Sequence, residues 1–425
     1  MNGIFFAIVL IAFVGAAIRQ IFGPAAEPSP MEALGKAMID AAGASVTLAI
    51  GLVGVMALFL GLMKVAEQGG LLVIIARTVR PLMVRLFPEV PPDHPAMGAM
   101  ILNISANVLG LGNAATPFGI RAMQELDTLN RHKGTATNAM VLFLAINTSS
   151  VTLLPTGVIA LRAAAGSADP AGIVPTTLFA TLVSTTVAIL VAKLLEKRWA
   201  APTGERDAAA EKQPEGEALP AEASETYPAW ISIVVLGSIV LLIPLTILYG
   251  KAIAPWIVPG LMVGLLAFGV YKRVRVYEAF VEGAKDGFQV ALKIIPYLVA
   301  ILVAVAMFRA SGAMDAVVGP IAAVTTHFGL PAEALPMALL RPLSGSGAYG
   351  ILGSTIQNPA IGPDSYTGYL VSTIQGSTET TFYVLAVYFG AVQIRRMRHA
   401  LAAGLSADFA GIAAAVAACL YLYAA

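Results

Sequence analysis

Two apolar stretches of this chain are broken by short polar strings at a depth where lipid excludes them. The strings are INTSSVTLLP (residues 146–155) and IQGSTETTFY (residues 374–383), and they align residue for residue. In hydrocarbon every backbone N–H and C=O must be satisfied internally. Unwound backbone is therefore tolerated only where protein or a water-filled cavity covers it. Interrupted helices at matching places in two halves of a chain point to a substrate or ion site near the bilayer midplane.

Composition supports the lipid setting. The 425 residues are 58% hydrophobic and 12% charged, with a mean hydropathy of +0.80, against about 25% charged in a soluble domain. The expected fold is an all-α polytopic membrane protein. A net charge of +1 offers no bulk attraction for nucleic acid. The single cysteine, Cys419, excludes a disulfide within the chain and a cysteine-rich metal site. The four histidines are scattered, and neither GxxxxGK[ST] nor GxSxG occurs. No cofactor, metal or catalytic constellation is expected, and the chain reads as a non-enzyme. The first apolar run lacks a basic leading segment and a small-residue cleavage site, so it reads as a retained span.

A helix needs about 20 apolar residues to cross the hydrocarbon core. Regular spans are expected at 4–22, 45–63, 173–195, 229–248, 253–271, 288–308 and 401–423. The irregular stretches 96–123, 137–161, 335–356 and 369–392 carry Gly, Asn, Ser, Thr and Pro at bilayer depth. Two shorter segments, 71–87 with Pro81 and 313–328 with Pro320, read as interfacial helices. Residues 199–226, rich in Ala, Glu, Pro and Gly, form a solvated linker between a first half (1–198, repeat at about 44–165) and a second (227–425, repeat at about 284–394).

Both halves follow one order: a span ending near Gly69-Gly70 or Gly312, the interfacial segment, a segment opened by Pro95 or Pro336, a glycine-rich tip at Gly110–Asn113 or Ser344–Gly347, and a broken span. Lys and Arg in short loops mark the cytoplasmic side. Lys272, Arg273 and Arg275 precede the second repeat, and Arg395, Arg396 and Arg398 follow it, so both its ends face inward. Counting spans back through the linker, also inside, puts both ends of the first repeat outside. The two repeats are therefore expected to be inverted, each with a spanning helix, an interfacial helix, a re-entrant hairpin and a broken transmembrane helix.

The first hairpin carries Asn103, Asn107 and Asn113, either as contacts for a solute or cation or as amides that cap and join helices. The first broken span offers Asn147, Thr148 and Ser149, either as neutral oxygens that suit Na⁺ or a polar solute or as groups that satisfy the backbone of a helix kinked at Pro155. In the second, Gln375, Ser377 and Thr378 precede Glu379, an ionisable side chain inside the bilayer and so a functional hypothesis. Arg341 of the second hairpin, followed by Ser344 and Ser346, is the expected counter-ion of Glu379, in a ligand site or a structural salt bridge.

NISANVLGLGNAATPFGIRAM (residues 103–123) and GSTETTFYVLAVYFGAV (residues 376–392) resemble the Gate, or nucleoside-recognition, family. Within it the first half looks like bacterial spore maturation protein A and the second like spore maturation protein B, fused head to tail. The resemblance covers nearly the whole chain. It implies a core like that of concentrative nucleoside transporters, with a substrate between hairpin tips and broken spans. The cysteines of a related iron pathway are absent. The expected function is gradient-driven transport of a small polar solute, nucleoside-like or an organic anion, across the bacterial inner membrane. Na⁺ or H⁺ would be the coupling ion, and a homodimer is compatible with the pattern. The alternative is a non-transporting membrane scaffold or ligand-binding protein that supports envelope or spore-type maturation.

Overall fold

The computed structural model describes residues 2–24, 27–110, 112–199 and 227–423. The expected linker, apart from Trp199, lies outside these residues. The described chain is almost wholly helical, with one isolated bridge between Thr135 and Arg396. Helix α1 spans Asn2–Phe22 and α2 Pro30–Gln68. Ser29 starts α2 with a capping box to Glu32, and Pro30 supplies the first turn. Helix α3 (Leu71–Leu86) follows. Helices α4 (Pro95–Val108) and α5 (Gly112–Thr128) form the first hairpin, and α6 (Asn138–Thr148) and α7 (Thr156–Ala164) the first broken span. Helices α8 (Val174–Glu196) and α9 (Ala229–Tyr271) join the halves.

The second half repeats the order. Helix α10 (Val276–Ala310) corresponds to α2 and α11 (Ala313–Thr325) to α3. Helices α12 (Leu335–Leu340) and α13 (Gly345–Ile356) form the second hairpin, α14 (Tyr366–Ser377) and α15 (Thr381–Ala391) the second broken span, and α16 (Ala400–Tyr423) closes the chain. The correspondence extends to single residues. Gly70 (φ 80°) and Gly312 (φ 74°) each precede the interfacial helix in the left-handed conformation, which costs a residue with a Cβ.

The inversion is visible where α2 meets α10, the most extensive helix pair among the described residues. Gly283 of α10 lies against Leu60 and Lys64, and Gly287 against Met56 and Ala57. Lys64 also pairs with Glu282 at 3.6 Å. Numbers rise along one helix as they fall along the other, so these equivalent helices run antiparallel. The broken spans obey the same relation, with α6 packing on α15 and α7 on α14.

One expectation is corrected. The spans anticipated at 229–248 and 253–271 form one 43-residue helix, α9. At 1.5 Å per residue it is about 65 Å long, roughly twice the hydrocarbon thickness. Gly250 and Lys251 at the expected junction do not end a helix. Glycine costs only about 1 kcal/mol there. The inversion therefore rests on the antiparallel α2–α10 pair rather than on span counting through the linker.

Among the described residues, α1, α2, α8 and α16 are long and apolar enough to cross a membrane by length and composition. Helix α16 lies antiparallel to α8. Arg398, just before α16, binds the Trp199 carbonyl just after α8, and the Tyr423 hydroxyl donates to Gly172 O at 2.5 Å at the other end. Two large buried clusters fill the bundle. One surrounds α4, α6 and α15, the other α7, α13, α14 and α16.

The α2–α10 contact admits a direct test. A Cβ on Gly287 would sit 2.7 Å from the Ala57 backbone, whereas one on Gly54 meets nothing within 4 Å. Gly287→Val is expected to cost about 1–3 kcal/mol through overpacking, read as a lower melting temperature in detergent. Gly54→Ala is expected to leave it unchanged or slightly higher.

Candidate functional site

Both broken spans are interrupted at the same depth, and the interruptions touch. Helix α6 ends at Thr148 and α7 begins at Thr156; α14 ends at Ser377 and α15 begins at Thr381. The 11 residues of α6 and 12 of α14 place each break about 16–18 Å into the bundle. There the Glu379 N–H donates to Thr148 O at 2.8 Å. Each hairpin tip is pinned to the break of its own repeat. Leu153 N–H donates to Val108 O at 3.0 Å, and Phe382 N–H donates to Pro342 O at 3.1 Å. Gly110, with φ 76°, lets the first tip approach the Leu154 carbonyl so closely that a Cβ there would be 2.6 Å from the oxygen.

Asn103, Asn107 and Asn147 form a chain of amides across the first half of the crossing. The Asn103 side chain donates to Ala115 O at 2.7 Å and to the Tyr388 hydroxyl at 3.2 Å. Asn107 donates to Asn147 Oδ1 at 3.0 Å, and Asn147 donates to Phe143 O at 2.9 Å. The Tyr388 hydroxyl donates to Asn147 Oδ1 at 3.4 Å, so a residue of the second repeat closes this network. Asn113 lies in the first turn of α5; its side chain is outside the described structure.

The hydroxyls divide into two groups. Thr148, Ser149 and Ser377 donate to carbonyls three or four residues back in their own helices. Those protons satisfy the helix ends, which is the structural role anticipated for such residues near a kink. Ser344 caps α13 by accepting from Gly347 N–H at 3.0 Å, and Ser346 is exposed 3.5 Å from it. By contrast Thr378 Oγ1, Gln375 Oε1, Asn103 Oδ1 and Thr177 Oγ1 are buried without a hydrogen-bond partner.

Arg341 sits where the sequence places it. Its guanidinium donates to Thr380 Oγ1 at 3.0 Å and to the Thr378 carbonyl, and lies 3.8 Å from Glu379. The arginine side chain is 4% exposed and the glutamate 53%. Arg341 therefore braces the turn, while Glu379 leans on it and keeps an open face. Cavities of about 290 Å³ (between α2 and the ends of α7 and α13) and about 180 Å³ (between α8 and α16) lie elsewhere. Neither is lined by a residue of the crossing.

Sequence reasoning missed Tyr388, Asp408 and Arg162. Asp408, an acid within an apolar helix, carries the signal that singled out Glu379. Arg162 is fully buried at the C-terminal end of α7. It donates to Pro363 O at 2.6 Å and Asp169 O at 3.1 Å, pairs with Asp364 at 3.0 Å, and lies over the Tyr369 ring. This strap joins the end of the first broken span to the loop before the second. The opposite end mirrors it. There Arg395 and Arg396 N–H donate to Gly134 O, and Arg398 to Ala136 O and Asn138 Oδ1.

Inverted repeats, each with a hairpin and a broken helix that cross at mid-depth, define a multi-pass helical membrane protein with a central polar site. The Gate profile, described as nucleoside recognition, matches residues 49–165 and 291–395, just over half of the chain. The chain belongs to the Gate family. It is 48% identical to spore maturation protein B of Bacillus subtilis strain 168 over 159 residues, which covers 37% of this chain and 88% of that protein. It is 47% identical to spore maturation protein A of the same organism over 161 residues, covering 38% and 82%. The two relatives are separate proteins, and the chain is a fusion of their kind. Among solved structures, CNTnw in an outward-facing state aligns at 15% identity and a TM-score of 0.42, covering 98% of this chain and 91% of that one. Its inward-facing substrate-bound state gives 15% and 0.39, with 99% and 90% coverage. These superpositions are loose, and the fold stands on its own contacts.

The Arg162 strap yields a pH test. Burial raises the Asp169 carboxyl above its usual range; Arg162 opposes this, and Asp364 adds to it. A raised folded value means the folded state favours the protonated acid. That stabilisation is full below about pH 4 and is lost as pH rises through the folded value. Asp169→Asn is therefore expected to match the parent near pH 4 and to gain in melting temperature relative to it as pH rises. A constant difference across the series would contradict the assignment.

Proposed function

We propose that the chain is a gradient-driven secondary transporter of a small polar solute, nucleoside-like or an organic anion. The observation that carries this is the crossing itself. Two helices are unwound at mid-depth, each is pinned to a hairpin tip, and buried acceptors and hydroxyls are left without partners. Such an arrangement costs stability unless a ligand or ion completes it. The site comprises Asn103, Asn107, Asn113, Asn147, Thr148 and Ser149 from the first repeat. The second contributes Arg341, Ser344, Ser346, Gln375, Ser377, Thr378 and Glu379. The family description, nucleoside recognition, supports a ring with hydroxyl and amide groups as the solute class. Na⁺ or H⁺ drives the movement.

Charge supports an orientation. Arg131, Lys133, Lys197, Arg198, Arg395, Arg396 and Arg398 gather at the end where α6 and α16 begin and α8 ends. That end is cytoplasmic by the positive-inside rule, and the linker that follows Trp199 starts there. The bacterial relatives suit an inner-membrane location. We assign the half before the linker to the protein A type and the half after it to the protein B type, on the strings at 103–123 and 376–392.

A second reading is a membrane scaffold that holds a ligand without moving it. The straps at both ends of the crossing favour it, because Arg162 and Arg398 tie the repeats together on both faces. Flux decides between the two. Proteoliposomes with the full chain are expected to take up a radiolabelled nucleoside or organic anion under an ion gradient. Glu379→Gln is expected to lower the rate at least tenfold at unchanged melting temperature. Solute-dependent thermal stabilisation without uptake would favour the scaffold. Uptake unchanged by Glu379→Gln would remove that residue from the site.

A further inference from the structure

Behind the second break lies a carboxyl that the crossing does not use. Asp408 is 2% exposed on α16, eight residues (about 12 Å) in from the basic end. Its Oδ2 accepts from Thr381 Oγ1 at 2.7 Å, and its Oδ1 has no partner. The surroundings are built around the same turn. Gly411, almost one helical turn further on, packs on Thr378, whose hydroxyl is also unpartnered. Gly404, one turn before, packs on Thr381 and faces Thr148 Oγ1. Ser184 of α8 donates to Ala407 O at 2.8 Å. Helix α16 therefore presents one face to the four-residue turn from Thr378 to Thr381, and Asp408 is the only carboxyl on that face.

The charges nearby do not balance an ionised Asp408. Helix α8 has no ionisable residue before Lys193, and α6 has none. Helix α14 offers only Tyr366 and Tyr369, and α15 only Tyr383 and Tyr388. On α16 itself only Cys419, Tyr421 and Tyr423 are titratable, all towards the far end, and His399 precedes its first residue. Arg341 and Glu379 lie across the turn. Arg341 is held by the Thr378 carbonyl and Thr380, and it leans towards Glu379. An ionised carboxylate with one hydroxyl donor and no counter-ion on its own side of the turn is poorly compensated for its burial.

We propose that Asp408 is a proton-binding site of this protein, and that the Thr378–Thr381 turn links it to the Arg341–Glu379 pair. The proposal rests on the transporter reading and makes H⁺ the coupling ion. The neutral acid fits the closed turn. When the turn moves, Asp408 loses its proton to bulk water. The anion then draws on Thr381, the first residue of α15, whose neighbours Thr378 and Thr380 hold Arg341. One turn thus has a titrating group on one side and the solute-facing pair on the other.

Infrared spectroscopy of the purified full-length chain, titrated from about pH 5 to about pH 9, tests this without any solute. The expected result is a carboxylic-acid carbonyl band that persists at neutral pH, disappears in Asp408→Asn and remains in Glu379→Gln. Thr381→Val removes the hydrogen bond that favours the anion. It is expected to carry the band about one pH unit higher, which keeps the proposal testable if Asp408→Asn does not fold. Identical parent and Asp408→Asn spectra throughout the titration, or a Thr381→Val band that does not move, overturn it. Absence of flux with the band intact would count against the transporter reading and leave the proton site standing.

Discussion

The bond from Glu379 N–H to the Thr148 carbonyl is the constraint around which the structure is organised. A backbone that unwinds at mid-membrane loses partners for several polar groups at once, and lipid supplies none. Each break here finds its partners in the other break and in a hairpin tip. The long pair α2 and α10, the crossed broken spans and the packing of α8 and α16 then follow as the frame that brings those interruptions together.

Neighbouring polar side chains divide between structure and availability. Thr148, Ser149 and Ser377 are fully buried and return their protons to their own helices, so only their lone pairs are left to accept. Arg341 is nearly enclosed and holds the turn, while Glu379 beside it is half open. A buried donor held by a carbonyl and a hydroxyl is costly to displace, and an open carboxylate with one partner is not. Within 3.8 Å the pair thus sets a buried brace beside an open carboxylate.

Much of this was legible in the sequence because membrane constraints are severe. Gly70 and Gly312, Pro81 and Pro320, and the two polar strings fall at equivalent places in the fold, and Arg341 meets Glu379 as expected. The continuous α9 was not legible, because glycine and lysine weaken a helix without ending it. Nor was Tyr388, an aromatic among aromatics whose hydroxyl reaches Asn103 only once the repeats cross. Asp408 and Arg162 carry the same signal as Glu379, an ionisable residue at an apolar segment, but neither lies in a polar string or a glycine-rich tip.

The crossing has a consequence for how such a molecule is supplied. Thr148 belongs to one repeat and Glu379 to the other, so neither copy can shelter its own unwound backbone without its counterpart. Two separate chains of this build would have to be made in balanced numbers, and any surplus would be left with raw polar ends in oil. Joining both copies in one polypeptide sets the ratio at synthesis and leaves no orphan subunit to clear.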